Sequence, residues 1–241
     1  LVQVSNLPIV YEIASLPTVA RNDGKVGMLN IFDDLITAQK RGEAKGMASI
    51  CSAHPYVIKQ TLKVFAKHPR NEDEGDKTFR VSPLIEATCN QVNQFGGYTG
   101  MTPKDFVAYI RSIAAENDFP FEDIILGGDH LGPSVWQNEP AASAMDKSKV
   151  LIHDYVQAGF VKIHLDCSMR LADDPQGALN PGIIAKRAAQ LAKASEEAVG
   201  TGLAPVHLPR YVIGTEVPIP GGATEHEDDV GVTKAEDACE T

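Results

Sequence analysis

The chain has 241 residues, of which 43% are hydrophobic and 22% charged, an ordinary balance for a globular fold and enough length for one large domain. No run approaches the ~18 uninterrupted apolar residues of a membrane span, and Leu1 to Ala20 lacks the basic-then-apolar order of a secretory signal. The formal charge of −10, from 32 acidic against 22 basic residues, repels a nucleic-acid backbone but leaves room for a small phosphorylated molecule held by local donors.

Residues 1–28 carry no clear period and read as an N-terminal extension, with one domain expected over 29–241. Apolar residues recur at helical spacing over 29–41, and Gly42 and Gly46 then break that helix. Beyond it, short apolar runs alternate with helical patterns. The runs at 47–52, 83–88, 124–129, 161–166 and 211–216 predict strands, and the segments 55–66, 103–117, 141–158 and 181–199 predict helices. Pro55, Pro103 and Pro181 sit at helix starts, where a missing N–H costs nothing. Thr102 and Asp105 have the spacing of a capping box, with Asp in place of Glu.

Strand starts recur every roughly 35 to 50 residues, the size of a βαβ unit. That repetition predicts a parallel sheet covered by helices. No G-x-G-x-x-G follows the first strand, which removes the main support for a dinucleotide-binding open sheet. Each run delivers polar residues at its C-terminal end, as strands do on the active face of a barrel. The predicted fold is therefore an α/β (β/α)8 TIM barrel, of which about five βα units fall in this chain.

The chemistry gathers at those strand ends. In the first run, Cys51 and Ser52 precede His54, which starts the next helix as readily as it touches a ligand. The second places Leu84, Glu86 and Thr88, with Asn90 after them, on one face. A buried Glu86 must be paired or neutralised. The loop from Asn90 and Gln91 to Gly100 is rich in amides and glycine, which suits sugar hydroxyls and also suits a plain turn. The third run closes with GGDHLGP, where Asp129 offers a proton-transfer carboxylate and His130 a metal ligand, Zn²⁺ first among the candidates. The alternative is a capping Asp beside an incidental His.

In the fourth run, Val161, Ile163 and Leu165 share one face and Lys162, His164 and Asp166 the other. Burying three ionisable groups is costly unless a site uses them. Lys162 and His164, with Glu86, Asn90 and Gln91, are thus candidates for binding substrate, and Asp166 for catalysis or metal ligation. The alternative is a structural Lys162–Asp166 ion pair with His164 beside it. Glu216 ends the fifth run and could complete a metal set with His130 and Asp166, an acid–base set with Asp129 and Asp166, or a simple loop contact. Lys162 could also act as a Schiff-base amine, although its neighbours favour metal-assisted chemistry. His68, His153, His207 and His226 have no comparable setting, and Cys51, Cys89, Cys167 and Cys239 show no metal or redox spacing, as expected of reduced cytosolic thiols. There is no Ser-His-Asp signature, G-x-S-x-G elbow or P-loop.

Taken in order, CSAHP, LIEATCNQVNQFGGYTGMTP, GGDHLGP, GFVKIHLDCSM and YVIGTEVPIPGG closely resemble the accessory, non-catalytic subunits of tagatose-1,6-bisphosphate aldolase, the GatZ and KbaZ family. The resemblance implies a barrel of class II aldolase type, a phosphorylated ketohexose as ligand and a place in galactitol or N-acetylgalactosamine breakdown in the cytoplasm. It further implies an oligomer with a separate class II catalytic subunit, whose activity and stability this chain supports. Some members have carried the label tagatose-6-phosphate kinase, yet no nucleotide motif is present. Residues 1–28 and the stretch NEDEGDKTFRVS at 71–82 depart from the compact family pattern, and the family continues through three more barrel units than this chain holds. The second reading is an enzyme in its own right, a metal-dependent tagatose/fructose 4-epimerase using Asp129, Asp166 or Glu216 for proton transfer or retro-aldol chemistry.

Overall fold

A computed structural model describes residues 31–43, 45–67, 82–177, 179–200 and 209–213. The expected extension, most of the 71–82 stretch, Glu216, His68, His207, His226 and Cys239 lie outside the described residues.

Among the described residues, five strands form one sheet: β1 (Ser49–Cys51), β2 (Leu84–Thr88), β3 (Ile125–Leu131), β4 (Lys162–Leu165) and β5 (Arg210–Ile213). All pairs are parallel and the spatial order is β1-β2-β3-β4-β5, so each strand lies beside its predecessor in sequence and the direction of progression never reverses. Helix α1 (Ile31–Lys40) precedes the sheet, and α2 (Pro55–Lys67), α3 (Pro103–Glu116), α4 (Ala141–Ala158) and α5 (Pro181–Gly200) make the connections. Consecutive connecting helices pack on one another, α2 on α3, α3 on α4 and α4 on α5. Right-handed crossovers in such an order place the helices in one layer on one face of the sheet. No helix of the described residues is long and apolar enough to cross a membrane.

The core lies between that layer and the sheet. Ile85, Ala87, Leu126, Ile163 and Leu165 come from the strands, and Leu62, Phe106, Ile110, Leu151, Tyr155 and Leu191 from the helices. Tyr155 anchors the two layers: its hydroxyl donates to the Val92 carbonyl at 2.9 Å, and its ring packs on Phe160. Gly128 makes that fit possible, because a Cβ there would lie 2.3 Å from Leu131 Cδ1 and 3.1 Å from Tyr155 Cδ1.

Helix α3 begins as its sequence predicts. Thr102 Oγ1 accepts from Asp105 N, and Asp105 Oδ2 accepts from Thr102 N at 3.0 Å, completing the reciprocal cap. Thr102→Ala is expected to lower unfolding free energy by about 1 kcal/mol. Urea midpoints of the two proteins measure this, and coincident curves would show that the cap adds nothing.

Candidate functional site

The face of the sheet opposite the helices carries the ionisable groups. Parallel registers align Cys51, Glu86, Gly127, Lys162 and Arg210 in one row across all five strands. Lys162 Nζ lies 2.6 Å from Glu86 Oε1 and 3.5 Å from Asp129 Oδ1, and Ser49 Oγ donates to Glu86 Oε2. Gly127 separates Glu86 from Lys162 in the row; a Cβ there would sit 2.4 Å from Glu86 Oε1 and push the carboxylate from this position. The structural Lys162–Asp166 pair considered from sequence is thus replaced by Lys162–Glu86–Asp129. Burial works against the Lys162 charge, but Glu86 and then Asp129 hold its pKa above the ordinary lysine value. Held as an ammonium, it lacks the free lone pair that a Schiff base needs.

Arg210 is a residue that the sequence reading passed over. The apolar run begins at Tyr211, whose hydroxyl donates to Ala192 of α5, so period two turns Arg210 to the same face as Lys162. Arg210 is buried beside it in the row. Extending the alternation one residue toward the N-terminus of the run would have found it.

Above that row, toward the C-terminal ends of β3 and β4, Asp129, His130 and His164 come together. Regular alternation would send Asp129 and His130 to opposite faces. Instead the β3–β4 register shifts between Gly128 and Leu131, and His130 adopts φ 47°, in the left-handed region. A local irregularity of this kind re-aims a side chain. His164 Nδ1 lies 2.9 Å from Asp129 Oδ1 and 3.3 Å from His130 N, and its tautomer decides which of the two it bonds. His130 Nδ1 is 3.1 Å from Asp129 Oδ2, and the two imidazole rings are 4.7 Å apart. Burial alone would raise the Asp129 pKa, but hydrogen bonds from His130 and His164 and the Lys162 charge outweigh it and keep the carboxylate ionised. Burial also opposes charge on His130, and the contact with Asp129 overcomes it, raising that pKa.

One ligand atom from each of Asp129, His130 and His164 lies within 4.8 Å of the others. Among the described residues His130 Nε2 is buried without a hydrogen-bond partner, and His130 Nδ1 meets only the Asp129 carboxylate. Two imidazoles and an ionised carboxylate, with donor atoms left unspent, fit a divalent first-row metal such as Zn²⁺. The set expected from sequence was His130, Asp166 and Glu216; of these, His130 belongs to the cluster and Glu216 lies outside the described residues. Asp166 is not in that group, although its charge acts on His130. Asp166 Oδ1 accepts from Ser168 N and Ser168 Oγ at 3.0 and 2.6 Å, while its Oδ2 is buried with no hydrogen-bond partner among the described residues.

The loop after β2 is braced internally. Gln91 Oε1 accepts from Thr88 N at 2.8 Å, the Asn90 carbonyl accepts from Tyr98 N, and Asn93 Oδ1 accepts from Phe95 N and Gly97 N. The Gln91 carbonyl oxygen on its side chain is therefore committed to the loop rather than open to a ligand. His54 Nδ1 accepts from Tyr56 N at 3.2 Å, which is the helix-starting role.

A family model described as "D-tagatose-1,6-bisphosphate aldolase subunit GatZ/KbaZ-like" matches residues 32–241. Among curated relatives, the D-tagatose-1,6-bisphosphate aldolase subunit GatZ of Klebsiella pneumoniae subsp. pneumoniae is 53% identical over 208 residues, which cover 86% of this chain and 46% of the relative. That of Klebsiella oxytoca is 54% identical over the same shares. The chain thus spans about half the length of the curated relatives it matches. A crystal structure from Sinorhizobium meliloti 1021, described as a probable tagatose 6 phosphate kinase, superposes with a TM-score of 0.61 at 47% identity, over 71% of this chain and 39% of that one.

Proposed function

The chain belongs to the GatZ/KbaZ-like family of D-tagatose-1,6-bisphosphate aldolase subunits, and from that premise we propose that it is the accessory subunit of a class II D-tagatose-1,6-bisphosphate aldolase. In this reading it supports the activity and stability of a separate catalytic chain in galactitol and N-acetylgalactosamine breakdown, as part of a cytoplasmic oligomer. The observation that carries the site is the convergence of Asp129, His130 and His164 at the C-terminal ends of adjacent parallel strands. Ligands of α/β folds gather there.

The architecture proposed for 29–241 is part of a (β/α)8 barrel of class II aldolase type, with 1–28 as an extension. The unbroken order β1-β2-β3-β4-β5 and the single helix layer support it, since a barrel wall is built in that way. Asp129, His130 and His164 would hold a divalent ion, Zn²⁺ by donor type. Bound there, the ion would act as a Lewis acid toward a carbonyl or alkoxide oxygen. Lys162 and Glu86 fix Asp129 from below. Asp166, oriented by Ser168, has one oxygen available for a hydroxyl proton of a phosphorylated ketohexose. Glu216 is proposed as a further acid–base group, and Asn90 as a contact to sugar hydroxyls.

An epimerase acting alone is not favoured: relatives at 53% identity are named aldolase subunits, and the sequence holds no P-loop for a kinase. Co-expression of the full-length protein with a class II aldolase chain tests the proposal. The two are expected to co-purify, and the catalytic chain to gain both aldolase activity and thermal stability. Equal activity with and without this protein, and separate elution, would overturn it.

A further inference from the structure

A cavity of about 520 Å³ opens between the loops that follow β3 and β4. Its lining includes Gln137 and Asn138 from the first loop, and Ser168, Arg170, Leu171 and Leu179 from the second. Both loops leave the C-terminal ends of their strands, the same end at which Asp129, His130 and His164 meet. Ser168 links the two places, because its hydroxyl also holds Asp166.

Arg170 gives the cavity its charge. Its Nε donates to the Pro175 carbonyl at 2.6 Å and one Nη to the Asp174 carbonyl at 3.1 Å. These bonds fix the plane of the guanidinium without neutralising it. The nearest acids are committed elsewhere: both Asp174 oxygens take Arg187 at 2.8 and 2.6 Å, and Asp173 Oδ1 takes Ala141 N at 2.7 Å. Arg170 therefore makes no ion pair among the described residues, and its other Nη is uncommitted. The side-chain amides of Gln137 and Asn138 likewise make no hydrogen bond among the described residues. Ser168 Oγ, having donated its proton to Asp166, can only accept.

We propose that this cavity is a subsite for a phosphorylated polyol. Arg170, Gln137 and Asn138 donate to the phosphoryl oxygens, and Ser168 accepts from a neighbouring hydroxyl. A planar cation held in place by backbone carbonyls is suited to phosphate because little side-chain freedom is lost on binding. In naming the ligand as a ketohexose phosphate, the assignment rests on the accessory-subunit reading; the anion site itself does not.

The test uses the full-length protein, with inorganic phosphate, D-tagatose 1,6-bisphosphate and unphosphorylated D-tagatose as separate probes in calorimetry. Trp136, the single tryptophan and the neighbour of Gln137, provides a fluorescence readout. Inorganic phosphate is expected to bind saturably and to compete with the bisphosphate. Arg170→Gln is expected to weaken both by about tenfold or more while leaving D-tagatose binding unchanged, and Arg170→Lys to recover part of the loss. Absence of phosphate binding, or an equal loss for D-tagatose and bisphosphate, would overturn the subsite and assign Arg170 to holding its loop. Should Arg170→Gln fail to fold, the exposed pair Gln137→Ala/Asn138→Ala decides: unchanged bisphosphate binding overturns the proposal. If Arg170-dependent phosphate binding persists while the protein fails to activate an aldolase chain, the accessory-subunit reading falls and the subsite stands.

Discussion

His164→Asn is expected to weaken binding of one equivalent of Zn²⁺ by about 100-fold or more, since loss of a partner one shell further out already costs 10–100-fold. His164 Nδ1 sits against two groups with opposite demands. It is 2.9 Å from the Asp129 carboxylate, which can only accept, and 3.3 Å from the His130 N–H, which can only donate. A neutral imidazole satisfies one of them at a time. A cation between His164 and Asp129 would take the Nδ1 lone pair and offset the carboxylate charge, at the cost of the long contact from His130 N–H. Replacement by Asn retains a polar side chain in the buried position but moves the donor atom. Metal content of the purified full-length protein, followed by zinc titration, measures the effect. Stoichiometric zinc in the variant at the affinity of the parent would remove Asp129, His130 and His164 as the ligand set.

The period-two pattern of β4 made its two faces legible: Ile163 and Leu165 enter the helix-side core, and Lys162 and His164 share the other side. The helix at Ala141–Ala158 and the cap at Thr102 were readable for the same reason, since local spacing and local hydrogen bonds decide them. What connects strands was not legible. Lys162 pairs with Glu86, 76 positions earlier, because parallel register and a side-chain-free Gly127 put them together. Nothing in the spacing of FVKIHLDC distinguishes that partner from Asp166 four residues on. GGDHLGP did place Asp129 and His130 together at a strand end, but how they share one side was not legible: strict alternation would part them, and the register shift in β3 with the left-handed backbone at His130 has no signal in the spacing. Arg210 was missed for a simpler reason, as a charge at the start of an apolar run looks like its boundary rather than its first inward position.

Lys162→Met is expected to destabilise the fold by about 3–5 kcal/mol, the usual cost of stranding one member of a buried ion pair. Glu86 is only 3% exposed, and its remaining contact from Ser49 is a neutral hydroxyl that cannot replace an ammonium at 2.6 Å. Removing both charges changes the arithmetic. In Glu86→Gln/Lys162→Met, no uncompensated charge is left, and well-packed neutral replacements of buried pairs are often nearly neutral in stability. The double variant is therefore expected to recover most of the loss, which urea unfolding of the parent, both single variants and the double would show as a coupling energy. Function should separate from stability here. Lys162 also holds Asp129 Oδ1 at 3.5 Å, so the stable double variant is still expected to bind Zn²⁺ about tenfold or more weakly, as loss of an outer partner does. If the double variant regains stability and also keeps full zinc affinity, the row beneath Asp129 is only a scaffold, and the two layers of the site act independently.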